Sequence, residues 1–279
     1  MPEADRFFGD ANRVLGFDLK KLCLEGPEEE LKKTEITQPA ILTVSVIAYE
    51  ALGIKPDVVA GHSLGEYTAL YVAGVLSFAD AVGLVHLRGK FMQEAVPEGK
   101  GAMAAVLGLD RNKVEECCKR TGVTAANINS PGQIVISGLK EKVEEAGRCC
   151  KEAGAKKVIP LAVSAPFHCE LMRPAAEKMA KELDKVELKD PTIPVVVNVS
   201  AGYVKSAKEV KESLMKQIYS PVLWEDSIRK MIADGVDTFV EVGPGKVLSG
   251  LIKKIDGHVK ILNVEDANSL KEVAHEIKR

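Results

Sequence analysis

The sequence is short of histidine, of aromatic side chains and of long apolar runs, and each shortage removes a class of function. No segment approaches the roughly 18 uninterrupted apolar residues that a membrane span needs, so no membrane contact is expected. With 38 Lys and Arg against 40 Asp and Glu, the net charge is -2, which gives no reason to expect nucleic acid or an acidic membrane surface. Six cysteines are present, but none forms a C-x-x-C pair, and no metal-ligand cluster occurs. No metal or bound cofactor is therefore expected. A phosphate loop is missing too: GPGKVLSG (243–250) has Gly-Lys ahead of a helix but not the G-x-x-x-x-G-K-[ST] spacing, and reads as a tight strand-to-helix turn. The opening residues, MPEADRFFGDANRVLGFDLKK, lack an apolar secretory core. A cytoplasmic chain with reduced thiols is the expectation, with Cys117–Cys118 and Cys149–Cys150 each in a helix-like segment.

What is there is ordinary globular composition, 46% hydrophobic and 28% charged over 279 residues, enough for a sizeable core in two lobes. Within it, GHSLGE (61–66) lies between the apolar run DVVA (57–60) and a stretch placing Tyr67, Leu70, Tyr71 and Val75 at helical spacing. Strand, sharp turn and helix form the setting in which Gly-x-Ser-x-Gly becomes a nucleophile elbow. The Ser63 hydroxyl would then stand out from the end of a sheet, with the Leu64 N–H and the helix N-terminus able to stabilise an oxyanion. A serine before a helix can equally be an N-cap, so the rest of the chain has to decide.

Strands alternating with helices in the first third, including helical runs at 31–53 and 78–96, argue for a parallel sheet covered on both faces. Between about 100 and 163 the rhythm changes to strand, helix, a hairpin around Pro131-Gly132, helix and strand. That βαββαβ order is the ferredoxin-like arrangement. The expected fold is α/β: an α/β-hydrolase-like large domain (1–98 and 165–279) with an inserted ferredoxin-like small domain (99–164). The chain returns to the large domain with a helix at 170–184, a strand at 193–200 and TFVEVGPGKVLSGLI (238–252).

A nucleophilic serine needs a base, and there are five histidines from which to choose. His258 and His275 lie in polar surroundings near the C-terminus. His86 falls mid-helix, as packing, and the His62 side chain should leave the turn away from Ser63. His168, in SAPFHCE where the chain re-enters the large lobe, is the best placed. On an otherwise apolar helix, Arg88 stands out: a guanidinium offers a bidentate fork for a carboxylate.

GHSLGEYTAL, HLRGKFMQ, ANINSPGQIVISG, SAPFHCELMRPAA, YSPVLW and EVGPGKVLSGL occur in the order found in malonyl-CoA:acyl carrier protein transacylases. The chain resembles that family over nearly its whole length. The resemblance implies that Ser63 takes malonyl from coenzyme A, that His168 is its base, and that Arg88 holds the malonyl carboxylate. It also implies that the backbone carbonyl of Gln217 orients the histidine in place of an acidic residue. Leu64, His62, Phe167 and Asn129 complete the expected substrate-contacting set. In the related polyketide synthase domains a phenylalanine just before the histidine accompanies malonyl use, which makes Phe167 a candidate for selectivity. The implied partners are malonyl-CoA and an acyl carrier protein serving fatty acid synthesis, with the phosphopantetheine belonging to the partner and a monomer favoured. Family members also have, ahead of the position matching Met1, a strand ending in a Gly-Gln-Gly turn that lends an oxyanion N–H. This sequence begins inside the helix that follows, so one donor is expected to be missing. Two alternatives stay open: a serine thioesterase or hydrolase using Asp80 or Asp110 as the third group, and an inactive subunit that docks acyl carrier protein.

Overall fold

A computed structural model of the chain describes residues 2–163 and 165–277. Three leading helices, α1 (Pro2–Leu15), α2 (Leu19–Glu25) and α3 (Glu28–Leu31), run into the long helix α4 (Thr34–Leu52). Helix α4 presents Leu42 and Val46 to the core and ends on Gly53, whose left-handed backbone (φ 62°) suits glycine and lets its N–H close on the Tyr49 carbonyl. Strand β1 is only Val59–Ala60; it runs into the GHSLGE turn and helix α5 (Gly65–Val72). Ser77 then caps α6 (Phe78–Glu94) by accepting the Asp80 N–H.

The middle of the chain has the expected order. Strand β2 (Gly101–Leu107), α7 (Arg111–Thr121), β3 (Thr124–Ser130), β4 (Gln133–Leu139), α8 (Lys140–Glu152) and β5 (Lys157–Pro160) make an antiparallel sheet ordered β3-β4-β2-β5. Gly132, at φ 70°, completes the two-residue turn between β3 and β4. Helices α7 and α8 cover one face of this sheet through Ala104, Val106, Ile134 and Ile136. The other face carries Met103, Ala126 and Val135, against which Phe167 packs. The sheet lies within the stretch expected for the small domain, whose far boundary falls on Ser164, outside the described residues.

The thiol expectation fails here. Helices α7 and α8 lie side by side, so Cys117 and Cys149 meet with Cα atoms 5.7 Å apart and are joined as a disulfide. Sequence spacing could not show this, because the pairing partner is 32 residues away and is set by helix packing. Cys23, Cys118, Cys150 and Cys169 are free thiols, and burial pushes Cys118 up to about 12.

After a short 3-10 turn (Glu170–Met172) come α9 (Arg173–Leu183), β6 (Val195–Val197), β7 (Gly202–Val204), α10 (Ala207–Gln217) and α11 (Trp224–Ala233). Strands β8 (Thr238–Val242) and β9 (Lys260–Val264) flank α12 (Val247–Ile255), and α13 (Ala267–Ile277) closes the described chain. β1 pairs parallel with β6, β7 returns antiparallel beside β6, and β8 pairs parallel with β9. Two glycines of positive φ, Gly243 and Gly245, make the β8–α12 turn read from the sequence. A groove of about 960 Å³, lined by Ser45, Val59, Trp224, Ile228, Phe239 and Leu248 among others, opens between β1 and β8. The two lobes are stitched together along β3: Ile128 donates to the Val222 carbonyl and Val222 to the Ala126 carbonyl, each at 2.9 Å. Among the described residues no helix is long and apolar enough to cross a membrane.

Candidate active site

Ser63 sits where β1 ends and α5 begins, with φ at 50°. A non-glycine residue in this left-handed region is strained, at a cost of order 1–3 kcal/mol, and persists only where the surroundings hold it. The described residues contain two other non-glycine cases, Ala201 and His168. His168, at φ 58°, is the residue that Ser63 faces. Gly61 is required for a different reason. A Cβ there would run into the backbone of Gly65 and Glu66, where the helix start folds back over the strand end. Gly65 has no such constraint, since nothing lies within 4 Å of the position its Cβ would occupy. The two glycines of the motif are thus unequal, and the serine itself carries the unusual backbone.

His168 reaches the elbow from the loop between β5 and the 3-10 turn. Its Nε2 is 2.7 Å from Ser63 Oγ, and its Nδ1 is 2.7 Å from the Gln217 carbonyl at the end of α10. A carbonyl only accepts, so Nδ1 carries the hydrogen and the Nε2 lone pair faces the serine. The ring is buried, and that burial, reinforced by the Arg88 charge, pushes His168 down to about 3. The imidazole is therefore neutral and able to accept a proton. Asp80 and Asp110 have other duties: Asp80 accepts from the Ser77 hydroxyl, and Asp110 caps α7. The third position beside the histidine belongs to an amide carbonyl.

Arg88 projects from α6 into the same space and is 2% exposed. One guanidinium NH2 donates to Ser63 Oγ at 2.9 Å and to Gln217 Oε1 at 2.8 Å; NH1 donates to Gln38 Oε1 at 2.7 Å. Its Nε has no partner, and the group lies 5.8 Å from the Tyr67 ring centroid. Among the described residues no carboxylate comes within ion-pair distance. A buried cation held only by neutral oxygens is costly unless an anion joins it.

The other expected residues divide. Leu64 follows Ser63, and its N–H is not among the groups that fix the turn, where Gly65 donates to the His62 carbonyl and Tyr67 to the Leu64 carbonyl. His62 Nε2 pairs with Asn129 Oδ1 on β3 at 2.8 Å, and its ring lies edge-on to Trp224. That side chain does leave Ser63, toward the small lobe. Burial lowers its pKa. Phe167 packs between the large core and the inner face of the small sheet. His86 bonds the Glu35 carbonyl, and His258 and His275 are exposed.

Three residues escaped the sequence reading. Gln38 lies on the stripe of α4 with Leu42 and Val46, and a glutamine on an apolar stripe was the available signal. Asn198 follows the apolar strand β6, and a polar residue at the end of a parallel strand is where α/β sheets place function. Glu66 gave no signal, because an acid in the first turn of a helix usually complements the dipole at the surface. Here it is fully buried, and that burial raises it to about 7.

Comparison with known proteins gives the family of the chain. The acyl transferase domain family matches residues 1–274. The malonyl CoA-acyl carrier protein transacylase of Bacillus subtilis is 50% identical over 278 residues, covering 97% of this chain and 88% of its own. That of Escherichia coli K12 is 52% identical over 262 residues, covering 91% and 85%. A solved malonyl-transacylase in complex with the acyl-carrier protein of a type II polyketide synthase superposes with a TM-score of 0.97 at 46% identity, over 99% of this chain and 92% of that one.

Proposed function

This chain belongs to the acyl transferase domain family, and we propose that Ser63, His168, Gln217 and Arg88 are the groups with which it moves malonyl from coenzyme A to acyl carrier protein. It is an [acyl-carrier-protein] S-malonyltransferase of fatty acid synthesis. The observation that carries the residue assignment is the buried Arg88 guanidinium, without a carboxylate partner, bonded to the oxygen of a serine that also faces a neutral histidine.

The chemistry follows from that arrangement. As Ser63 Oγ attacks the thioester carbonyl, its proton passes to His168 Nε2. The Leu64 N–H and the start of α5 face the developing oxyanion. His168 then returns the proton to the departing coenzyme A sulfur, leaving malonyl esterified to Ser63. The pantetheine thiol of the carrier repeats the steps in reverse: His168 takes its proton, the sulfur attacks the ester, and Ser63 recovers a hydrogen. During both halves the malonyl carboxylate replaces the Ser63 oxygen on the Arg88 fork. Burial is the main reason His168 is held low, but that pairing offsets the Arg88 charge that adds to it, so the base strengthens when the correct substrate is bound. Phe167 flanks the acyl pocket, and the His62–Asn129 pair fixes the small lobe over it. In this reading no cofactor is required, since the phosphopantetheine arrives on the partner, and the setting is the cytoplasm.

The test is selectivity. Arg88→Ala should depress malonyl transfer by a factor of about a hundred or more while leaving acetyl transfer to Ser63 nearly unchanged, the loss expected when a bidentate charged contact disappears. Arg88→Lys should recover only part of it. Equal losses for the two acyl groups would remove Arg88 from the substrate site.

A further inference from the structure

Asn198, at the end of β6, is fully buried, and each of its polar atoms has a hydrogen-bond partner. Its Oδ1 accepts the Ser63 N–H at 2.7 Å and the Gln217 amide at 3.3 Å, while its Nδ2 donates to the Gly61 carbonyl at 2.7 Å. Its backbone carbonyl accepts from Leu223 N–H at 2.9 Å, in the segment that binds β3 of the small lobe. Its backbone N–H lies past the last β6–β7 pairing, Val197 with Gly202, and is accepted instead by Glu66 Oε2 at 2.7 Å. One side chain therefore spans the elbow from Gly61 to Ser63, and one buried carboxylate holds that side chain's own backbone.

We propose that Asn198 is the positioning residue of the elbow, anchored by Glu66, and that the pair keeps Ser63 in its left-handed conformation in line with His168. The proposal rests on the reading of Ser63 as nucleophile. It divides the two N–H groups of the turn: that of Ser63 holds the backbone, and that of Leu64 is left for substrate. It also accounts for a buried acid in the first turn of α5, which no ion pair explains among the described residues. Glu66 Oε1 has no hydrogen-bond partner, and the Asn198 N–H is the bond that Oε2 accepts, with Gln217 and the Arg88 charge as its further polar neighbours. A neutral amide oxygen can accept the same bond. The relation to Gln217 matters as well. Its Nε2 donates to the Ser63 carbonyl at 2.9 Å, so Asn198 and Gln217 together hold both backbone polar groups of the strained residue Ser63.

A serine-directed fluorophosphonate tests this, because it reacts with the Ser63–His168 pair without needing Arg88 or malonyl. For Asn198→Ala and Glu66→Ala, the rate of Ser63 labelling and the malonyl kcat should fall together, by about a hundred-fold, as misplacement of a reacting atom by an ångström can cost. The KM for malonyl-CoA should stay at its wild-type value. Glu66→Gln should restore both rates. Labelling of Asn198→Ala at the wild-type rate, or a rise in KM in place of the loss in kcat, overturns the proposal. Should Asn198→Ala fail to fold, the Glu66 pair decides: Gln falling as far as Ala also overturns it. Absence of label on Ser63 in the wild-type protein would instead bring down the nucleophile assignment beneath it.

Discussion

In the small lobe, β2 and β4 pair in register over seven residues and bury Ala104, Val106, Ile134 and Ile136 beneath α7 and α8. At the elbow, β1 has two residues, and the groups packed behind it are Glu66, Arg88, Gln217 and Asn198. The first region satisfies the local rules: alternating elements, an Asp110 cap on α7, a glycine where the turn needs one. The second breaks them, with buried ionisable groups, a cation that no described carboxylate meets at ion-pair distance and two non-glycine residues at positive φ. The difference is between a region whose contacts all favour the fold and one that gives up stability where the proposed chemistry would take place. Sites that violate local consistency are where function is expected. The regions are nevertheless joined, since Asn129 of the small sheet holds His62 and β3 pairs with the segment after Gln217.

The comparison can be broken most severely at His168, the proposed base. His168→Ala should leave the thermal midpoint close to the wild type while lowering malonyl transfer on the order of a hundred- to ten-thousand-fold, measured as initial rate of carrier acylation. A normal rate in that variant would return the choice of base to the remaining histidines. The converse experiment strikes the small lobe. Ile136→Ala empties a fully buried position between the sheet and its helices, and should cost about 2–5 kcal/mol in urea unfolding. Its kcat per folded molecule should hold, and a large loss of kcat would show that the small lobe tunes the elbow as well as covering it.

A smaller effect lies in the pH dependence of stability. Glu66 ionises near pH 7 when folded, against 4.5 for the free side chain. Below about pH 4.5 both states hold the proton and there is no penalty. As pH rises through that window the unfolded chain ionises first and the native state loses stability, by up to roughly 3 kcal/mol above pH 7. Glu66→Gln should therefore gain on the wild type between pH 4.5 and 7 and run parallel above it, as read from urea midpoints. A constant difference across that range would mean that Glu66 stays ionised in the fold. The smallest expected effect belongs to Phe167. Replacing it by Ser should raise the methylmalonyl-to-malonyl ratio of kcat/KM about ten-fold, the range in which one methyl group is discriminated. No change would leave Phe167 as packing between the two cores.

The sequence by itself determined the periodic parts and the short motif. The βαββαβ order of the small lobe was legible because each element carries its own period and its own turn residues, Pro131-Gly132 above all. The elbow was legible because strand, glycine, serine and helix are adjacent in the chain. Arg88 and Gln217 were assigned by family resemblance, since nothing in an isolated helix says that an arginine points inward. Only the tertiary structure decided the rest. Gln38, Asn198 and Glu66 lie 25, 135 and 3 residues from Ser63, yet all three belong to one buried hydrogen-bond network. The Cys117–Cys149 bond likewise depends on two helices lying side by side. Local sequence encodes where apolar groups repeat, which specifies helices and strands. It does not encode which polar atoms meet after those elements pack, and a buried polar atom gains its role only from the partner it finds there.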